Sequence, residues 1–205
     1  MDSLSRTERA GLCDLLDDLG PNAPTLCAGW TTLDLAAHLR LREANPVAAA
    51  TIVLPRAHRL TDRGMDKLKS RLSFSEIVER VRRGPPVWSA FGWPRVEPAV
   101  NTIEFFVHHE DVLRASSPEH RRDLSRRDQD EIWSRVGWSG KAFARGASVG
   151  LELVRTDVPA SMRIRDGEPS VAIRGLPSEL TLYLYGRSVV DVDLDGPPAA
   201  VSTLT

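Results

Sequence analysis

Glu104-Phe105-Phe106-Val107-His108-His109-Glu110-Asp111 decides how the chain is read, because it sets metal-capable side chains into an otherwise apolar run. On an α-helix, residues four apart share a face with Cβ atoms about 5–6 Å apart, so Glu104 and His108 can converge on one ion. His109 lies about 100° around the helix from His108 and reads as a solvent-facing or helix-packing residue. Asp111, three positions after His108, shares its side and is placed to orient the imidazole. A third ligand has to come from another element.

Working outward, Val100, Ile103, Phe106, Val107 and Leu113 supply the apolar face of a helix over about 98–115, ended by Ser116-Ser117-Pro118. Residues 87–97, with Trp88, Phe91, Trp93 and Pro94, read as an irregular loop whose tryptophans can wall a pocket. Nearer the N-terminus, Leu4, Leu12, Leu15, Leu16 and Leu19 mark a helix over 4–19 that Gly20-Pro21 stops. Thr31 and Asp34 form a capping box before a second helix that runs to about residue 45, with His38 near its middle. Asp34, four before His38, reads either as that cap or as a carboxylate orienting the imidazole. Ser73 and Glu76 repeat the capping signature before a helix closed by Gly84-Pro85-Pro86, while 47–72 shows no clear period. A fifth helix is expected over 126–146, carrying Ile132, Trp133, Val136 and Phe143.

After about residue 147 the period shortens. Val149, Leu151, Leu153, then Met162, Ile164 and Val171, Ile173 alternate as short antiparallel strands with polar turns such as Asp166-Gly167-Glu168. Leu176–Tyr185 suggests a helix, residues 190–194 a strand, and a short helix follows. The expected fold class is α+β, with a helical domain over 1–146 and a small α+β domain over 147–205.

Composition narrows the function. At 205 residues the chain can bury a sizeable core, and a net charge of −1 offers no overall electrostatic reason to bind nucleic acid. The run Arg121–Asp128 mixes both signs and reads as a solvated connection. Cys13 and Cys27 form no CxxC and no disulfide framework, and both read as small buried hydrophobes in a reducing, cytoplasmic protein. No apolar leader or stretch of 18 apolar residues suggests a membrane partner. P-loop and GxGxxG signatures are absent.

His38 interrupts Leu35-Ala36-Ala37-His38-Leu39 much as Glu104 and His108 interrupt their helix. Burying such groups unpaired is costly, and a shared metal in a bundle interior would satisfy all three. Two imidazoles and a carboxylate suit zinc and its neighbours, and three protein ligands leave a catalytic position open. The competing reading pairs Glu104 with a histidine or arginine and binds no metal.

Three segments carry a resemblance. Leu26-Cys27-Ala28-Gly29-Trp30-Thr31-Thr32-Leu33-Asp34-Leu35-Ala36-Ala37-His38-Leu39 resembles a GWxxxDxxAHL block, and Asn101–Val112 an ExxxHxxD block. Leu180–Arg187 together with Val192–Pro197 is similar to the closing element of a small sterol-carrier-like domain. Together they resemble the mycothiol-dependent maleylpyruvate isomerase family, a branch of the DinB-like metal-binding proteins, and in particular a subfamily with the doubled HHED of His108–Asp111. The resemblance implies a DinB-like four-helix bundle with His38, Glu104 and His108 as metal ligands, followed by the sterol-carrier-like unit. It also implies mycothiol as cofactor and an isomerase or S-transferase acting on a small electrophile, with a metal-bound thiolate as nucleophile. Arg42 and Arg187 are candidates for holding an anionic substrate group. A noncatalytic module binding metal and a thiol or other small ligand, and a structural metal bundle, remain as the other classes.

Overall fold

A computed structural model describes residues 3–44, 58–93 and 96–204. Among them are eight α-helices and one four-stranded sheet, in two compact units, Met1–Arg121 and Arg122–Thr205.

The first unit is helical. Helix α1 (Leu4–Leu19) buries Leu4, Leu12, Cys13 and Leu16, and ends at Gly20, whose φ of 75° suits glycine and whose N–H bonds Leu16 O. Helix α2 (Thr32–Ala44) starts where the Asp34 carboxylate accepts from the Thr31 N–H at 3.0 Å and from its hydroxyl at 2.9 Å. Helix α3 (His58–Lys69) lies within the stretch that carries no clear period. Helix α4 (Phe74–Arg82) has the complete Ser73/Glu76 capping box. Helix α5 (Glu97–Ser116) starts with Pro98 in its first turn and spans nearly the range its apolar face predicts.

Helix α1 packs on α5 and α4, and α2 on α3 and α4. The core joins Leu12, Leu16, Leu35, Leu39, Phe105 and Val112. The α1–α5 approach is close at Gly11, where a Cβ would stand 2.8 Å from His109 Cε1. His109 is therefore a helix-packing residue, held by Glu8 Oε2 at 2.9 Å from Nδ1.

The second unit opens with helix α6 (Arg126–Phe143), extended by a 3-10 turn at Ala144–Gly146. The compact units thus divide at Arg121/Arg122 rather than at 146/147. The reason is that α6 packs on α7 (Pro177–Leu184) and on strand β2 (Ser161–Arg165). Gln129 ties α6 to α7 through the Ser178 N–H at 3.0 Å and hydroxyl at 3.1 Å.

Strands β1 (Gly150–Arg155), β2 (Ser161–Arg165), β3 (Ser170–Gly175) and β4 (Asp193–Asp195) lie in the order β2-β1-β3-β4. The β1–β2 and β3–β4 pairs are antiparallel. The expected all-antiparallel arrangement fails at β1–β3, which pair in parallel with Leu151 opposite Val171 and Leu153 opposite Ile173. Those four side chains are buried with Val136, Leu180 and Leu184, and the chain closes with the short helix α8 (Pro198–Val201). No helix is long and apolar enough to cross a membrane among the described residues.

Candidate metal centre

Helix geometry places the site. On α2, His38 and Arg42 stand one turn apart; on α5, Asn101, Glu104, His108 and Asp111 recur every three or four residues and share a side. The loop before α2 adds Cys27 and Trp30. It is held by Leu26 N–H to Asp111 O at 3.0 Å, by Trp30 N–H to Cys27 O at 2.9 Å and by the Thr25 hydroxyl to Trp30 O at 3.0 Å.

Glu104 Oε1 is the junction. It lies 3.3 Å from His38 Nε2, 3.5 Å from His108 Nε2 and 3.3 Å from Arg42 Nε. The two imidazole nitrogens and the carboxylate oxygen lie within 4.8 Å of one another, with the rings edge to face at 5.5 Å between centroids. A tetrahedral metal with bonds of about 2.0 Å separates its ligand atoms by about 3.3 Å, so these spacings fit a divalent ion. Trp30 packs on the His38 ring at 5.0 Å.

The electrostatics suit the same donor set. Burial pushes the His38 pKa down, toward the neutral ring a metal requires. Burial disfavours the Glu104 charge, yet Arg42, His108 and His38 outweigh it and hold the carboxyl well below its usual range. Burial also opposes a charge on His108, but its bonds to Asp111, Cys27 and Glu104 prevail and raise its pKa well above the usual value. Its Nδ1 donates to Asp111 Oδ2 at 3.0 Å, while a proton at Nε2 faces Glu104; a metal there would take that proton's place.

The other sequence candidates separate. Asp111, fully buried, accepts from His108 Nδ1 at 3.0 Å. Asp34 does not bond to His38. Its carboxylate caps α2 and pairs with Lys69 Nζ at 2.8 Å, and these partners overcome partial burial to lower its pKa. Arg42 is committed within the protein: Nη1 donates to Asn101 Oδ1 at 2.8 Å, Nη2 to Val100 O at 2.7 Å, and Nε faces Glu104. It steadies a carboxylate of the chain rather than waiting for a substrate anion. Arg187 belongs to the second unit. There it donates to Tyr185 O at 2.5 Å and lines a cavity of about 700 Å³ with Ile173, Tyr183 and Leu194. Trp88 and Trp93 are exposed rather than walling a pocket.

Cys27 is the residue that sequence reasoning passed over. Its Sγ lies 3.2 Å from Asp111 Oδ2 and 3.8 Å from His108 Nδ1, and it is half-buried. The available signal was its place in the Leu26–Leu39 block, eleven residues before His38.

No family model matches the chain, and no curated protein matches it in sequence. Among solved structures, its fold is similar to that of "the mycothiol-dependent maleylpyruvate isomerase", with a TM-score of 0.60 at 19% identity over 94% of this chain and 90% of that one. A histidine-to-alanine mutant of that isomerase matches with a TM-score of 0.58 at 15% identity over the same shares. At these identities the likeness is one of fold.

Proposed function

We propose that the chain is a metal-dependent, mycothiol-dependent isomerase or S-transferase acting on a small electrophile, with His38, Glu104 and His108 holding the metal. The observation that carries this reading is the convergence of His38 Nε2 and His108 Nε2 on Glu104 Oε1, at 3.3 and 3.5 Å. The fold-level likeness to a mycothiol-dependent isomerase supports the choice of thiol. Zinc suits two imidazoles and one carboxylate.

Bound there, the metal supplies an open coordination position and a positive charge that keeps a thiol ionised at neutral pH. The chain's own residues prepare the position. His38 and His108 present Nε2, Asp111 fixes the His108 ring through Nδ1, and Arg42 holds the Glu104 carboxylate. The Trp30 ring covers one side of His38 and limits water there.

The test is turnover of a panel of small electrophiles, maleylpyruvate included, by zinc-loaded protein with mycothiol. Consumption that needs both metal and thiol, and is abolished by Glu104→Ala, is the expected result. Metal and thiol binding without consumption of any electrophile would instead mark a noncatalytic binding module.

A further inference from the structure

We propose that Cys27 Sγ, His108 Nδ1 and Asp111 Oδ2 form a second cation position, selective for thiophilic divalent ions, on the side of the His108 ring turned away from Glu104. The three atoms lie within 4.8 Å of one another, at 3.8 Å (Sγ to Nδ1), 3.0 Å (Nδ1 to Oδ2) and 3.2 Å (Sγ to Oδ2). A tetrahedral ion with bonds of about 2.3 Å to sulfur and about 2.0 Å to nitrogen or oxygen separates such atoms by about 3.3–3.5 Å. Sulfur, imidazole and carboxylate together favour a softer ion than the nitrogen and oxygen set of His38, Glu104 and His108.

The position is held in place before any ion arrives. Asp111 is fully buried on α5, and its backbone carbonyl accepts from Leu26 N–H at 3.0 Å, anchoring the residue beside Cys27. The Cys27 backbone N–H is held by the Thr25 hydroxyl at 3.2 Å. Half-burial of Cys27 leaves a route in from solvent. The other cysteine, Cys13, is fully buried against Val78 and offers no competing sulfur.

A neutral imidazole has one lone pair to give. An ion on Nδ1 therefore leaves the ring proton on Nε2, and His108 can no longer serve the His38–Glu104 side. The two positions share one ring and compete through its tautomer, so a thiophilic ion would switch off the inner one. That competition rests on the proposed metal centre; the Cys27 position itself does not.

Cd²⁺ titration of the full chain, followed by sulfur-to-metal charge-transfer absorption, tests the position. The wild type should develop the band, Cys27→Ser should lose it and Glu104→Gln should keep it. In the unmutated protein, Cd²⁺ should slow alkylation of Cys27 by iodoacetamide at least about tenfold, as expected when the thiolate is ligated. A wild type without the band, a band surviving Cys27→Ser, or unchanged alkylation would overturn the proposal. Cd²⁺ that binds with no sulfur band and is lost in Glu104→Gln would sink the Cys27 position while leaving the inner centre standing. A band kept in Glu104→Gln, with zinc content equal in Cys27→Ser and Cys27→Ser/Glu104→Gln, would do the reverse.

Discussion

His108 and Asp111 are joined by a 3.0 Å bond from Nδ1 to Oδ2, and the carboxylate is wholly withdrawn from solvent. Such a partner fixes which nitrogen is free to ligate and raises the basicity of the ring. Asp111→Asn should therefore weaken zinc binding by about 10- to 100-fold with the helical content unchanged. Competition with a chromophoric chelator measures this, and an unaltered affinity would remove Asp111 from the site.

Arg42 faces Glu104 Oε1 at 3.3 Å with its Nε and bonds Asn101 and Val100 with its other nitrogens. A bound metal supplies positive charge to the same carboxylate. Arg42→Met should therefore lower the melting temperature of the metal-free protein more than that of the zinc-loaded protein. Equal losses in the two forms would mean that Arg42 acts through packing alone.

Arg9 and Glu43 form a buried ion pair at 2.5 Å, with the guanidinium over Phe105 and a further bond to Val81 O at 2.8 Å. Glu43 Oε2 has no hydrogen-bond partner among the described residues. Removing Arg9 strands a buried carboxylate, so Arg9→Ala should cost about 3–5 kcal/mol, read from the denaturant midpoint. Replacing both members by apolar residues, Arg9→Met with Glu43→Leu, should recover most of that loss.

Burial pushes the Cys13 thiol from 9.0 up to about 12. The unfolded chain releases this proton first, so the thiol's contribution to stability is intact below pH 9 and falls away as the pH rises toward 12. The loss is at most about 4 kcal/mol at about 1.4 kcal/mol per unit. Stability measured from pH 8 to 11 should fall less steeply in Cys13→Ala than in the wild type, and parallel profiles would contradict the burial.

Some of this was legible in the residues alone. The α5 boundaries followed from an apolar face closed by Ser116-Ser117-Pro118, and the convergence of His38, Glu104 and His108 followed from polar groups breaking two apolar runs. Other features left no local mark. Helix α3 lies in a run of mostly charged and polar residues with few apolar positions to set a period. Alternation predicts a strand but not the direction of its partner, so the parallel β1–β3 pair was hidden. The periodicity of α6 likewise does not say which unit it packs on. Cys27 meets Asp111 across 84 residues through a loop folded back by backbone bonds, a closure that no spacing rule encodes.

Elemental analysis of protein purified in the presence of zinc, Cys27→Ser beside Cys27→Ser/His38→Ala so that no sulfur position competes, bears most directly on the three-ligand centre. Cys27→Ser should carry about one zinc per chain, and the double variant, folded by circular dichroism, should lose tight binding. Zinc stoichiometry unchanged in the double variant, or a Cys27→Ser protein that holds none, would contradict a metal held by His38, Glu104 and His108.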